Sequence, residues 1–388
     1  MIDLATTPPL RMHHGRDLFM HLSMRIFLAF AMVTFLHRVV AADTPWPAER
    51  GELLFAFSDD FTPSYAPGLD GKPLLGWHFT PTGYGRIRHD GALLLGRGGF
   101  FAEQIGAFLS ASLQDGEGFT ATMWLTPETR LEDGAVMTLG HEVPSKNGWL
   151  RIEQHGSFLR IGIATKSGPF DLLAADVKAA ITTSITVSCN RTHAVIFRDG
   201  VEVARKALPA ALVRPEGLTL RLGSSSPDVV GWKGAVEGIC LYGRALSATE
   251  VRTLHDSTAQ RRSQREHVPS LHVRAVLRGK STVPTPEELA PYTQGLTVFL
   301  YEVVKVLSGD YDGSQLHVAH WTVLDERALA FASVLEGSMH ELRLEPYDGN
   351  PQLAAENLSD DIVEDFTIPY FYDAGGRSLR DVKSSREE

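Results

Sequence analysis

Between about residues 51 and 243, apolar residues recur at every second position, in runs that Gly, Pro, Asp and Asn keep interrupting. Phe119, Ala121, Met123 and Leu125 share one parity, and Thr120, Thr122, Trp124 and Thr126 the other. Ile185, Val187 and Cys189 alternate with Thr186, Ser188 and Asn190, and Leu218, Leu220 and Leu222 with Thr219 and Arg221. A period of two with one apolar face is the pattern of a half-buried antiparallel strand. Asp199-Gly200 sits between "AVIFR" and "VEVA". Both residues tolerate positive φ, so the pair predicts a two-residue hairpin. No helical period competes here, and many short strands at this spacing predict an all-β sandwich or jelly roll.

The stretch closes on "GAVEGICLYGRALSATEV", residues 234–251. Ala235, Glu237, Ile239 and Leu241 alternate with Val236, Gly238, Cys240 and Tyr242, so 235–242 reads as a strand. A helix follows, to about His255. Ser247 is placed to cap the N–H of Glu250, and the Glu250 carboxylate to return the bond, with Leu246 and Val251 as the matching hydrophobic staple.

"GWKGAVEGICLYGRALSATEV" resembles the closing segment of concanavalin A-like, LamG-type jelly rolls, in which a Gly-x-[Ile/Val]-[Asp/Glu] strand leads into such a turn and helix. "GFTATMWLTPE" (118–128) is similar to that family's Trp-containing strand, and "ITVSCNRTHAVIFRDGVEVA" (185–204) to its paired strands around an Asp-Gly turn. The pieces come in the family's order and the resemblance, to secreted proteins of bacterial type, covers about 51–256. It implies two curved antiparallel sheets whose concave face serves glycans or protein surfaces, and it does not imply catalysis. Because related jelly rolls bind calcium at loop carboxylates, it also points to Asp59 and Asp60 as a calcium pair, against the plainer reading of a solvated turn. No cofactor is otherwise required.

Residues 257–267, "STAQRRSQREH", lack any apolar period and read as a linker or a helix tail. A second unit spans 268–373. Leu271 to Leu277 alternates, and Leu296–Leu307 and Leu316–Leu324 are strand-like. Between them "TPEELAPY" repeats the capping logic, with Thr285 as cap, Pro286 in the first turn and Glu288 closing the box. Gly309 to Gly313 forms a turn. The expectation is a small closed or nearly closed β-barrel, OB-like, with one short helix. The tail, 374–388, is polar.

Residues 1–42 carry an export pattern. Arg25 follows Met24, Ile26 to Leu36 holds no charge, and Val40-Ala41-Ala42 ends in small residues. This is a signal peptide starting near Met24 and cleaved after about Ala42, too short to span a bilayer. The expected location is outside the cytoplasm: secreted, periplasmic or at the cell surface, with no membrane span left. The chain has 37 Lys+Arg against 47 Asp+Glu. Without the four Arg and two Asp of residues 1–42, 33 face 45, a net charge of −12. Such an acidic protein does not suit nucleic acid. Cys189 and Cys240 are the two cysteines. Export permits one bridge between them, and two buried thiols fit equally.

Glycoside hydrolases of the same sandwich need two carboxylates on one strand face, written Glu-x-Asp-x-x-Glu. That motif is absent. So is the Gly-x-Ser-x-Gly elbow of serine hydrolases. His317 and His320 are three apart in a strand and so face opposite ways, which is no metal pair. Sugar-binding faces combine aromatic planes with polar groups. Trp149, Arg151 and Glu153 share one parity, and Trp124 lies on a threonine-bearing face. These four are the candidate ligand contacts, with the alternative that both tryptophans pack beneath loops. The expected function is non-catalytic recognition or adhesion, with a polysaccharide or cell-surface glycan as partner. Two alternatives stand beside it: an enzyme of the same fold, and an accessory protein of envelope polysaccharide assembly that contacts another protein.

Overall fold

The computed structural model describes residues 52–58, 79–102, 105–114, 117–140, 148–224, 231–265, 267–362 and 367–375. The segment 1–42 that the sequence reads as an export signal, the Asp59-Asp60 pair and the tail beyond Gly375 lie outside the described residues. Two β modules within one compact unit make up the fold, as the alternation predicts.

The first module is a sandwich. Its strands are β1 (Leu53–Ser58), β2 (Thr80–Gly83), β3 (Arg86–Ile87), β4 (Leu93–Leu95), β5 (Gly98–Ala102), β6 (Gly118–Pro127), β7 (Glu132–Gly140) and β8 (Leu150–Gly156). They continue with β9 (Phe158–Thr165), β10 (Gly168–Asp176), β11 (Thr183–Asn190), β12 (His193–Arg198), β13 (Val201–Ala207), β14 (Thr219–Gly223) and β15 (Gly234–Tyr242). One sheet runs β13-β12-β11-β6-β15-β4-β3, with β1 also on β15, and the other β10-β9-β8-β7-β14-β5-β2. Their inner faces meet in one core: Phe119, Met123, Ile185, Val187, Ile239 and Leu241 from the first sheet, Met137, Leu139, Ile152, Ile161, Ile163 and Leu220 from the second. Burying apolar side chains at about 25 cal/mol per Å² is the main force holding such layers together. Asp199 and Gly200 join β12 to β13 with φ of 51° and 75°, the double-positive turn that the dipeptide predicts.

A helix, α1 (Gly106–Ser112), bridges β5 and β6. The closing helix, α2 (Ala248–Ser263), has Ser247 as its cap, and the reciprocal Glu250 bond is present. It runs well past His255, so most of 257–267 is helix; the absence of an apolar period marks a helix with a narrow buried stripe of Val251, Leu254 and Thr258. α2 lies over the outer face of the first sheet. Ser184 Oγ is 2.9 Å from His255 Nδ1, Ser188 Oγ donates to the Leu246 carbonyl at 2.8 Å and Arg262 donates to Thr182 Oγ1 at 2.9 Å. The threonine and serine parity of β6 and β11 is therefore a polar face under a helix, not one open to solvent.

The second module is a closed barrel of β16 (Leu271–Lys280), β17 (Gly295–Ser308), β18 (Gln315–Leu324), β20 (Met339–Pro346) and β22 (Tyr370–Asp373), with short β19 (Arg327–Ala328) and β21 (Leu358–Ser359) beside it. The ring reads β16-β17-β18-β22-β20 and back to β16, and only β18–β22 is parallel. In strand order that is 1-2-3-5-4-1, the OB-like path. Helix α3 (Pro286–Leu289) is capped by Thr285 with Glu288 closing the box. Leu271, Val273, Phe299, Tyr301, Val318 and Leu342 fill the interior. His320 points inward to Asp373, its Nδ1 3.1 Å from Oδ2, while His317 faces out against Tyr370.

Candidate functional site

The outer face of the second sheet carries the site. In β8, Leu150, Ile152 and Gln154 face the core, which leaves Arg151, Glu153 and His155 outside. Residues directly opposite in antiparallel strands share a face. The pairings Arg221–Thr138, Thr138–Arg151, Arg151–Gly162 and Gly162–Asp171 thus align one outward row over β14, β7, β8, β9 and β10. Glu153 opposes Arg160. It accepts from Arg160 Nη2 at 2.7 Å, and its carboxylate lies 3.1 Å from Arg151 Nε and 3.3 Å from His155 Nε2. Burial works to raise the Glu153 pKa, but the bonds to Arg160 and His155 and the charge of Arg151 outweigh it and hold the carboxyl below its ordinary range.

Gly162 is the gap in this row. A Cβ there would stand 3.1 Å from Asp171 Oδ1 and 3.5 Å from Arg151 Nη2. Carboxylate and guanidinium therefore lean over the glycine from both sides. The hollow above it, about 190 Å³, is lined by Gly148, Arg151, Gly162, Thr165, Pro169 and Asp171 among others. Drug-sized sites span roughly 300–1,000 Å³, so this one suits a single ring-sized group, met by ionic donors and acceptors on a rigid strand floor.

Of the four residues expected to meet a ligand, the structure brings Arg151 and Glu153 together on this face. Trp149 precedes the first residue of β8, and its indole turns into the core. It is 6% exposed, 4.7 Å from the Phe119 ring, and donates Nε1–H to the Val213 carbonyl at 2.9 Å. Trp124 is on the other sheet, 3% exposed, beside Gly238 on the face that α2 covers. Both rings are buried, Trp149 in the core and Trp124 beneath a helix rather than beneath loops. The residues that the sequence left unmarked are Arg160, Gly162 and Asp171. Parity places each outward, but only the cross-strand register puts them next to Arg151.

Cys189 and Cys240 do not form a bridge: both thiols are free and buried. They stand on β11 and β15, either side of β6, with Cys189 in the core and Cys240 between the core-facing Ile239 and Leu241 and so on the opposite face. Desolvation pushes both up to about 12.

Glu237, in the family-like "GAVEG" strand, occupies a bulge in β15 where the register with β6 shifts between Val236 and Gly238. Its side chain is 2% exposed and ion-paired to Arg262, with Arg88 and Arg265 at 3.8 and 3.9 Å. Thr126 also donates to it. A carboxylate so occupied by cations fastens α2 to the sheet.

Residues 103–252 match the family model of the concanavalin A-like lectin/glucanases superfamily, which bears out the resemblance of the three sequence segments. Among solved structures, the chain is similar to the binding domain of botulinum neurotoxin DC in complex with SialylT, at 10% identity and a TM-score of 0.42, over 76% of this chain and 74% of that one. It is similar to the binding domain of Paraclostridial Mosquitocidal Protein 1, at 12% identity and 0.41, over 65% and 63%. It is also similar to domain 4 of AbnA, a GH43 extracellular arabinanase from Geobacillus stearothermophilus, in complex with arabinotriose, at 17% and 0.36, over 53% and 98%. At such identities the likeness concerns the fold alone. No curated protein matches the chain in sequence. Among the described residues, no helix is long and apolar enough to cross a membrane.

Proposed function

We propose that this is an exported, non-catalytic binding protein whose lectin-like jelly roll recognises a polysaccharide or cell-surface glycan on the outer face of its second sheet. The observation that carries the reading is the Gly162 hollow, with Arg151 and Asp171 leaning over it and Glu153 held ionised alongside. Sugar hydroxyls are donors and acceptors at once, and a shelf with guanidinium and carboxylate side by side offers both partners. The occupied state of Glu237 supports a non-catalytic role, because paired-carboxylate hydrolysis needs carboxyls free to exchange a proton or attack. The signal pattern of residues 1–42 supports export.

A glycan array probed with the protein, with and without calcium, tests this. Selective binding that Gly162→Val and Arg151→Ala both reduce is the expected result. The Gly162→Val side chain fills the hollow, and what it meets is the mobile end of Asp171. Loss of binding without calcium would bring Asp59 and Asp60 into the site. Binding that both variants leave intact, or a blank array with folded protein, overturns the assignment.

A further inference from the structure

A second cavity lies where the jelly roll meets the barrel. It is about 590 Å³, within the range of small-ligand sites, which favour the junctions between domains. The jelly roll contributes Arg86, Arg97 and Lys233, and the barrel contributes Trp321. None of these three cations has a carboxylate within ion-pair distance among the described residues. Exposed surface cations need no partner, and Arg97 alone would mean little. Arg86 is different. It is only 9% exposed and lines the cavity, so an anionic group entering there meets a guanidinium that no carboxylate already occupies.

Two acids share the lining with these three cations. Asp373 is held by His320 inside the barrel, and Glu128 is the other carboxylate in the lining. The chain as a whole carries −10, so three cations gathered in one recess are a local reversal of its charge. Recesses of one sign between low-dielectric walls focus the field and concentrate oppositely charged ligands. The remaining wall is apolar, mostly leucine and alanine with the rings of Tyr84, Trp321 and Phe331 among them. Trp321 spends its Nε1–H on the Tyr372 hydroxyl at 3.1 Å, which fixes the ring plane, and Tyr84 reaches the same region from the jelly roll.

We propose that this interdomain cleft binds an acidic saccharide, with uronate-type carboxylates met by Arg86, Arg97 and Lys233 and a sugar ring set against the half-buried Tyr84. A guanidinium fork takes a carboxylate with two parallel hydrogen bonds, and the C–H face of a pyranose stacks on an aromatic ring such as the Tyr84 phenol. The site is separate from the Gly162 hollow and stands whether or not that hollow binds a glycan.

The test is titration calorimetry of the full protein with oligomers of galacturonate, of mannuronate and of hyaluronan, each beside its carboxyl-reduced counterpart, with inorganic phosphate as an anion-only probe. At least one acidic oligomer is expected to bind, with affinity falling as salt rises and a tenfold or greater loss on carboxyl reduction. Arg97→Ala and Lys233→Ala, two positions whose loss leaves no buried group unpaired, should each weaken it severalfold, and Arg86→Gln by about tenfold. Arg151→Ala should leave it unchanged. The proposal is overturned if no acidic oligomer binds the folded protein, or if reduced and acidic forms bind alike. It is also overturned if phosphate matches the oligomers, or if Arg151→Ala rather than Lys233→Ala abolishes binding.

Discussion

Glu237 and Arg262 are joined by an ion pair sealed between a strand bulge and the closing helix, and Arg88 and Arg265 flank the same carboxylate at 3.8 and 3.9 Å. Arg88 bonds Asp90 at 2.8 and 2.6 Å, Arg265 lies 3.5 Å from Asp90, and the next residue along, His89, reaches Glu345 in the barrel at 3.0 Å. One chain of charges thus runs from the sandwich through α2 to the second module. Removing one partner of a buried pair strands the other's charge, at about 3–5 kcal/mol. Arg262→Ala and Glu237→Ala should each lower the unfolding free energy by that order in a denaturant titration. The double variant should cost less than the two single losses summed.

Gly200 answers two demands at once. Its φ is +75°, and an added Cβ would stand 2.9 Å from Arg252 Cδ and 3.1 Å from His255 Cβ, on α2. A left-handed conformation costs an L-residue roughly 1–2 kcal/mol and overpacking a further 1–3. Gly200→Ala is therefore expected to destabilise by about 2 kcal/mol or more in thermal or denaturant unfolding. A loss under about 0.5 kcal/mol would count against the tight hairpin–helix contact.

The His89–Glu345 bond predicts a pH effect. The hydrogen bond that His89 donates to the Glu345 carboxylate raises its pKa above the ordinary 6.5, against the opposing pull of burial. The folded state thus holds this proton more tightly than the unfolded chain. The resulting stability is complete below 6.5 and lost as pH rises through the higher folded value. His340 slopes the other way, because burial lowers its pKa. Unfolding free energies of the wild type and His89→Gln, compared at about pH 6 and pH 8, separate the two: the gap between the proteins should narrow on going to pH 8.

Both cysteines should be silent to a thiol reagent at neutral pH in the native protein, since each is buried and its thiol pushed up to about 12. Two thiols per chain should react once the protein is unfolded without reductant. A single reactive thiol, or none, would contradict the placement of β6 between them.

Local chemistry was readable from the sequence. The two capping boxes, at Ser247 and Thr285, and the Asp199-Gly200 turn each lie within four consecutive residues, so their spacing contains the whole interaction. Facing was readable within a strand, as His317 and His320 show. It failed at Trp149, because parity counts only from the first paired residue, Leu150. The hollow at Gly162, the cage around Glu237 and the cleft that Arg86 lines depend on which strands lie side by side. Asp171 and Arg151, or Arg262 and Glu237, meet only through register, which one sequence does not carry. The bulge that turns Glu237 toward its arginines has no local signature either.

One last feature bears on how anything can dock here. The edge strand β13 sets exposed Glu202, Arg205 and Lys206 along its length, with Glu202 and Arg205 bonded to each other at 2.7 and 2.8 Å, and the barrel strands close on themselves. Charged edges and rings deny an incoming chain a backbone ladder to extend. Around the ring a visitor meets no open strand edge, and along β13 the outer amides and carbonyls stand behind charged side chains. The visitor must be read by side chains, whose identity a few substitutions can rewrite while the scaffold stays put.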